Sequence, residues 1–270
     1  MAKQKPGKLN RLARLLPEGL LVDAAWMGRH GYSTSLRRQY VTAGWLEQPA
    51  RRVYRRPRGA VSWREAVVSL QTLLDADLVV GGRTALELQG FSHYLTERRS
   101  QVHLYGPEKP PGWLYDLPVR TRFVYHNNGR LFGAGAGKLR FKSGRAEAGD
   151  FVTQPWGVWE WQLRMSSPER AILELLDELP KRESFHQVDK LFEGLVSLSP
   201  RRVERLLERC RSVKVNRLFY FFADRHQHAW WKRVKRSAAD LGTGKRVLAR
   251  GGRLDRVYRI TVPKDLDGVG

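Results

Sequence analysis

The sequence predicts an α+β fold: a small N-terminal module of three short helices and a strand pair, then a larger mixed α/β domain that ends in a helical, bundle-like region. Three observations point there. Apolar residues recur at helical spacing in the first 43 residues and again after residue 167, while the stretch at about 77–165 alternates like strands. Hydrophobic residues make up 41% and charged residues 28% of the 270, ordinary globular usage that excludes a disordered basic chain. The proline- and glycine-bearing stretch 57–59 then divides the chain into domains 1–60 and 61–270.

In the N-terminal module, Leu9, Leu12, Ala13 and Leu16 share one face of a short helix that Pro17 and Gly19 stop. Asp23 caps a second helix, which runs through Trp26 and Met27 until His30 and Gly31 end it. Ser33 caps a third. There, a step of 100° per residue sets Leu36, Tyr40 and Ala43 on one face and Thr34, Ser35, Arg38 and Thr42 on the opposite one. The following GWLEQPARRVYRRP reads as two strands, Trp45 with Leu46 and Val53 with Tyr54, around a turn studded with Arg51, Arg52, Arg55 and Arg56. Helix, turn, polar-basic helix and basic hairpin form the pattern of a winged helix-turn-helix. Its third helix fits a DNA major groove and its wing meets phosphates or the minor groove. The competing reading is a three-helix packing unit with a solvated arginine face, against which stands the scarcity of acids: Glu18, Asp23 and Glu47 only.

The second part opens with Ser62 and Glu65 at the spacing of a capping box. Leu78, Val79 and Val80 read as a buried strand, GGRTALELQG as a glycine turn and helix, and SQVHLYG, RTRFVYHN, FVTQPW and GVWEWQLR as further strands. The order strand, Gly81-Gly82, helix and strand also resembles the opening of nucleotidyltransferase folds, with an unrelated α/β domain as the alternative. Catalysis there requires two carboxylates one residue apart, aimed from one strand face at Mg²⁺. Gln101 and His103 occupy those places, and neither supplies the anionic oxygen that Mg²⁺ prefers, so no phosphoryl transfer is expected. GAGAGK at residues 133–138 and GTGK at residues 242–245 lack the spacing of a phosphate-binding loop. His226 and His228 sit two apart with no Cys to complete a metal site, and Cys210 is a lone thiol that reads as packing. No catalytic residue, metal or cofactor is expected.

From Ser167 and Pro168, an N-cap and first-turn pair, the chain turns helical. Ala171, Ile172, Leu175, Leu176 and Leu179 form one stripe; a second helix is expected over residues 185–196. Ser199 and Pro200 open a third, with Val203, Leu206, Leu207 and Cys210 facing inward. The aromatic run Phe219, Tyr220, Phe221, Phe222, Trp230 and Trp231 reads as core. Arg201, Arg202, Arg205, Lys232, Arg233, Lys235 and Arg236 form a second basic surface, suited to phosphates or an acidic protein.

Charge sharpens the functional reading. The chain carries 49 Lys+Arg against 27 Asp+Glu, a net +22, and this excess is not spread evenly. Residues 1–64 hold 14 basic and 3 acidic residues and residues 200–260 hold 18 and 5, while residues 65–199 are close to neutral with 16 and 17. Two basic zones flanking a neutral block favour a polyanionic partner. One cysteine excludes an internal disulfide framework, and no apolar run approaches a membrane span, so a soluble cytoplasmic protein without a membrane partner is expected.

Four stretches in order, GWLEQPARRVYRRP leading into SWREAVVSLQ, then VVGGRTALELQGFSHYL, then SPERAILELLDELP with SFHQVDKLFEGL, then LGTGKRVLARGGRLDRVYRITVP, resemble AbiEi-type antitoxins of type IV toxin-antitoxin systems. The resemblance spans nearly the whole chain. It implies a nucleoid-associated transcriptional autorepressor that binds double-stranded operator DNA at inverted repeats upstream of its own operon. It also implies a cognate nucleotidyltransferase-like toxin, counteracted without an assumed direct complex. By position it assigns recognition to Ser33, Thr34, Ser35, Arg37 and Arg38, and the wing role to Arg51, Arg52, Tyr54, Arg55 and Arg56. Two alternatives stay open: a nucleic-acid-modifying enzyme positioned by its winged helix, and an adaptor that binds an acidic toxin directly.

Overall fold

A computed structural model of the chain describes residues 7–91, 101–133, 149–236 and 239–267. The fold class is α+β, as expected. Helix α1 (Lys8–Leu15) leads through strand β1 (Leu21–Asp23) to α2 (Ala24–Arg29) and α3 (Thr34–Thr42), followed by the hairpin β2 (Glu47–Ala50) and β3 (Val53–Arg55). The caps are those the sequence signals: Asp23 accepts from the Trp26 amide at 2.7 Å and Ser33 from the Leu36 amide at 3.3 Å. Strand β1 has no counterpart in the sequence reading. Its residues Leu21 and Val22 are wholly buried, and it pairs antiparallel with β3, so the small sheet runs β1-β3-β2. This is the layout of a winged helix. The first wing strand begins at Glu47 rather than at Trp45, because Trp45 and Leu46 both bond back to the Tyr40 carbonyl and finish the turn out of α3.

Helix α4 (Trp63–Thr72) opens on the expected capping box, with Ser62 and Glu65 reciprocally bonded. Seven consecutive residues, Glu65 to Gln71, are buried, the mark of a helix enclosed on all sides. One side meets β1, where Ser69 Oγ accepts from the Leu21 amide at 2.8 Å. The other meets the larger sheet: the Gln71 amide donates to the Leu78 and Arg164 carbonyls, each at 3.0 Å, and accepts from the Arg164 amide at 2.9 Å.

That sheet has the order β6-β5-β4-β8-β7, with β4 (Val79–Val80), β5 (Gln101–Gly106), β6 (Arg122–Asn127), β7 (Phe151–Trp156) and β8 (Trp161–Ser166). Strands β5 and β6 are parallel, as are β4 and β8; the β4–β5 and β7–β8 pairs are antiparallel. Helix α5 (Gly82–Leu88) follows β4 directly, and the short α6 (Gly129–Phe132) follows β6. Of GAGAGK, all but Gly133 lies outside the described residues.

Helices α7 (Pro168–Asp177), α8 (Phe185–Gly194), α9 (Pro200–Arg209) and α10 (Val213–His226) pack on one another and complete the core. Ser167 caps α7 as expected, but Ser199 makes no side-chain cap. Its amide instead donates to the buried Glu169 at 2.8 Å. The aromatic run is core: Phe219 and Phe222 are fully enclosed, and Trp230 and Trp231 are nearly so. Beyond α10, a hairpin of β9 (Arg253–Asp255) and β10 (Ile260–Val262) is held by the buried Arg217, which donates to the Leu241, Gly244 and Arg259 carbonyls. Within the GTGK stretch, the Gly244 carbonyl is one of these acceptors.

Candidate nucleic-acid interface

The outer face of α3 is built by its own period. Ser35, Arg38, Gln39 and Thr42 stand at i, i+3, i+4 and i+7, all exposed, and line one shallow open depression. Ser33 lies at the entrance, its Oγ 3.0 Å from Ser35 Oγ. Arg38 makes no ion pair among the described residues, which leaves its guanidinium for a partner. The wing tip adds Arg51 and Arg52, both exposed, in the two-residue turn between paired Ala50 and Val53. Arg52 sits at φ 62°, the left-handed region that favours glycine, and its carbonyl is tied to the Ala24 amide at 2.8 Å.

Four residues expected at this interface are directed elsewhere. Arg37 is 8% exposed: Nη1 donates to the Ala24 carbonyl at 2.9 Å, Nη2 to Thr34 Oγ1 at 2.7 Å, and the guanidinium lies over the Tyr54 ring at 5.5 Å. It welds α3 to α2 and the wing. The inward stripe of α3 is accordingly Leu36, Arg37, Tyr40 and Val41, while Ala43 is exposed. Arg55, 3% exposed, bonds Glu47 at 2.7 Å and the Gly59 carbonyl. Tyr54 is buried beneath Arg37. Arg56 is half-buried, paired with Glu18 at 2.8 Å and donating to the Ala13 carbonyl near the end of α1 at 3.2 Å. Thr34 is exposed, with its hydroxyl shared with Arg37. Sequence reasoning missed Gln39, although the 35/38/39/42 spacing was there to find it.

Two family models match the chain end to end: the N-terminal domain of AbiEi antitoxin transcriptional regulators over residues 5–97, and the AbiEi antitoxin transcriptional regulator of type IV toxin-antitoxin systems over residues 99–263. The chain belongs to the AbiEi antitoxin family. As such it is a transcriptional regulator of a type IV toxin-antitoxin system. The crystal structure of the RV2827C protein from Mycobacterium tuberculosis is similar to this AbiEi antitoxin in fold, with a TM-score of 0.56 at 16% sequence identity, covering 94% of this chain and 89% of that one. No curated protein matches it.

In the second basic zone of this AbiEi antitoxin, three of the seven expected residues are internally engaged. Arg202 holds the buried Glu169 at 3.0 Å, Arg205 holds the buried Asp150 at 2.6 Å, and Arg236 pairs with Asp224 at 2.8 Å. Arg201, Lys232, Arg233 and Lys235 remain exposed. The two groups adjoin, because the Lys235 amide donates to Glu204 on α9 at 2.7 Å.

The glycine turn after β4 is closed. The Gly82 amide donates to Glu174 at 2.9 Å, and a Cβ on Gly81 would stand 2.4 Å from both the Glu174 carboxylate and the Tyr105 ring. Gln101 is exposed and His103 is buried, its Nδ1 2.9 Å from His126 Nε2. Burial and the neighbouring His126 push the His103 imidazole down to about 4. Burial also works to raise the Glu178 carboxyl, but hydrogen bonds and charge from His126 and Arg182 outweigh it and hold the group at about 2. Cys210 is buried and its thiol is pushed up to about 12, too high for a nucleophile. His226 is bonded to Asp189 at 2.7 Å and His228 to the Phe192 carbonyl at 2.8 Å. Among the described residues no helix is long and apolar enough to cross a membrane.

Proposed function

We propose that this AbiEi antitoxin is a DNA-binding autorepressor: α3 enters the major groove at each inverted repeat upstream of its own operon, and the wing arginines contact the flanking backbone. The observation that carries this reading is the exposed Ser35, Arg38, Gln39, Thr42 stripe beside unburied Arg51 and Arg52. Serine, threonine and glutamine offer base-edge hydrogen bonds, and Arg38 suits a guanine edge. The wing arginines suit phosphates. The site of action is the cytoplasm, at the nucleoid. Antitoxicity is exerted on a nucleotidyltransferase-class toxin without a required stable complex. The molecule itself is not an enzyme: Glu174 fills the turn that would cradle phosphates, and Gln101 and His103 stand where paired carboxylates would be needed. A mobility shift on the chain's own upstream region tests the repressor reading. Binding at least tenfold tighter than to scrambled DNA of equal length is expected, and equal affinity would overturn it.

A further inference from the structure

The turn joining β7 to β8, residues 157–160, lies at the outer edge of the large sheet and is exposed throughout. Its composition departs from that of the whole molecule. Residues 151–163 carry a single charge, Glu160, in a chain of net +22. Val158 is 82% and Trp159 60% exposed, and the half-buried Trp156 and Trp161 pair across the strands behind them with ring centroids 6.0 Å apart. Large apolar side chains gathered in one exposed turn mark a contact surface, whereas single exposed apolar residues need no explanation.

Two cations stand beside this turn. The Arg64 guanidinium, on the first turn of α4, lies over the Trp63 and Trp156 rings at 4.7 and 5.9 Å, and that of Arg58 lies over Trp161 at 5.6 Å. Neither makes an ion pair among the described residues, and neither does Glu160. Glu160 also sits at φ 50°, in the left-handed region that favours glycine, with its amide donating to the Gly157 carbonyl at 3.1 Å. The turn therefore keeps a carboxylate at a backbone cost, and no cation of the described chain meets it. An acidic partner would need the cations alone. An unpaired acid and unpaired cations flanking one apolar turn instead suit a two-fold contact, in which each residue finds its complement on an identical surface. We propose that this turn joins two copies of the chain: Val158 and Trp159 of one cover those of the other, and Glu160 of each copy meets Arg64 of its mate. Strongly basic faces of a +22 molecule repel a second copy, and this nearly uncharged one does not. The contact is small, less than about 1,200 Å² in total, which places it among weak associations. The α3 face and the wing arginines take no part in it.

Sedimentation velocity of the full chain, from about 5 to 500 µM in about 0.3 M salt, tests the assignment; that salt screens repulsion between copies to less than about 8 Å. The parent is expected to shift from one chain toward two as concentration rises. Trp159→Ser, Glu160→Arg and Arg64→Glu are each expected to weaken that association tenfold or more at the parent's Tm. An equimolar mixture of Glu160→Arg and Arg64→Glu is expected to associate as the parent does, because both cross-contacts are again acid to cation. A purely structural role for either residue would leave the mixture no better than its components. The Arg51→Ala/Arg52→Ala double variant is expected to pair as the parent does, separating this contact from the DNA face. The proposal is overturned if the parent stays a single chain at every concentration, if Trp159→Ser pairs as the parent does, or if the mixture associates no better than its components.

Discussion

Arg37 and Arg38 are adjacent and chemically identical, yet one is structural and the other faces solvent. Replacing Arg37 by Met removes the donor to the Ala24 carbonyl, and unfolding in urea is expected to reveal a loss of roughly 1–3 kcal/mol. Arg38→Ala is expected to leave stability within about 0.5 kcal/mol. Its effect belongs instead in the ratio of operator to scrambled-DNA affinity. Arg52 offers a sharper separation. A non-glycine residue in the left-handed region carries a cost of roughly 1–2 kcal/mol, part of which glycine gives back through unfolded-chain entropy. Arg52→Gly is therefore expected to leave stability unchanged or raise it by up to about 1 kcal/mol, while weakening DNA binding and lowering the log-log salt slope by about 0.9. A stability loss with unchanged DNA affinity would contradict that assignment.

At the scale of elements, α9 is held to the fold by its own basic face. Asp150 is wholly enclosed and takes Arg205 at 2.6 Å and Arg209 at 2.9 Å, with Arg170 at 4.0 Å. Asp150→Asn breaks that cluster and is expected to cost roughly 3–5 kcal/mol in urea unfolding, with faster tryptic cleavage within α9 as a second readout. Such commitments explain which part of the site was legible. Caps at Asp23, Ser33, Ser62 and Ser167, and the alternation in β5 to β8, depend on neighbours in sequence, so the elements could be read directly. The long-range partners of Arg37, Arg55, Arg202 and Arg205, which are Ala24, Glu47, Glu169 and Asp150, lie 8 to 55 residues away, and local spacing carries no information about them. Strand β1 was hidden for the same reason: three residues pair with β3 some thirty positions on, and no turn signal joins the two.

For the whole molecule, the buried imidazole of His103 sets a pH dependence. Its folded pKa of about 4 lies below the ordinary 6.5, so between those values the unfolded chain binds the extra proton. Stability is fully present above about pH 6.5 and falls by up to roughly 3 kcal/mol as pH drops toward 4. Glu178 contributes with the same sign at lower pH, its stabilisation being lost from its ordinary 4.5 down to about 2. His103→Asn is expected to flatten the upper limb of a Tm-versus-pH curve while leaving the lower one. Helix α4 has a different consequence. Because Ser69 serves the small sheet and Gln71 the large one, neither half can melt without stripping partners from a helix the other half needs. Heating should therefore produce one endotherm whose van't Hoff and calorimetric enthalpies agree, so that the DNA-reading end and the C-terminal end are lost together.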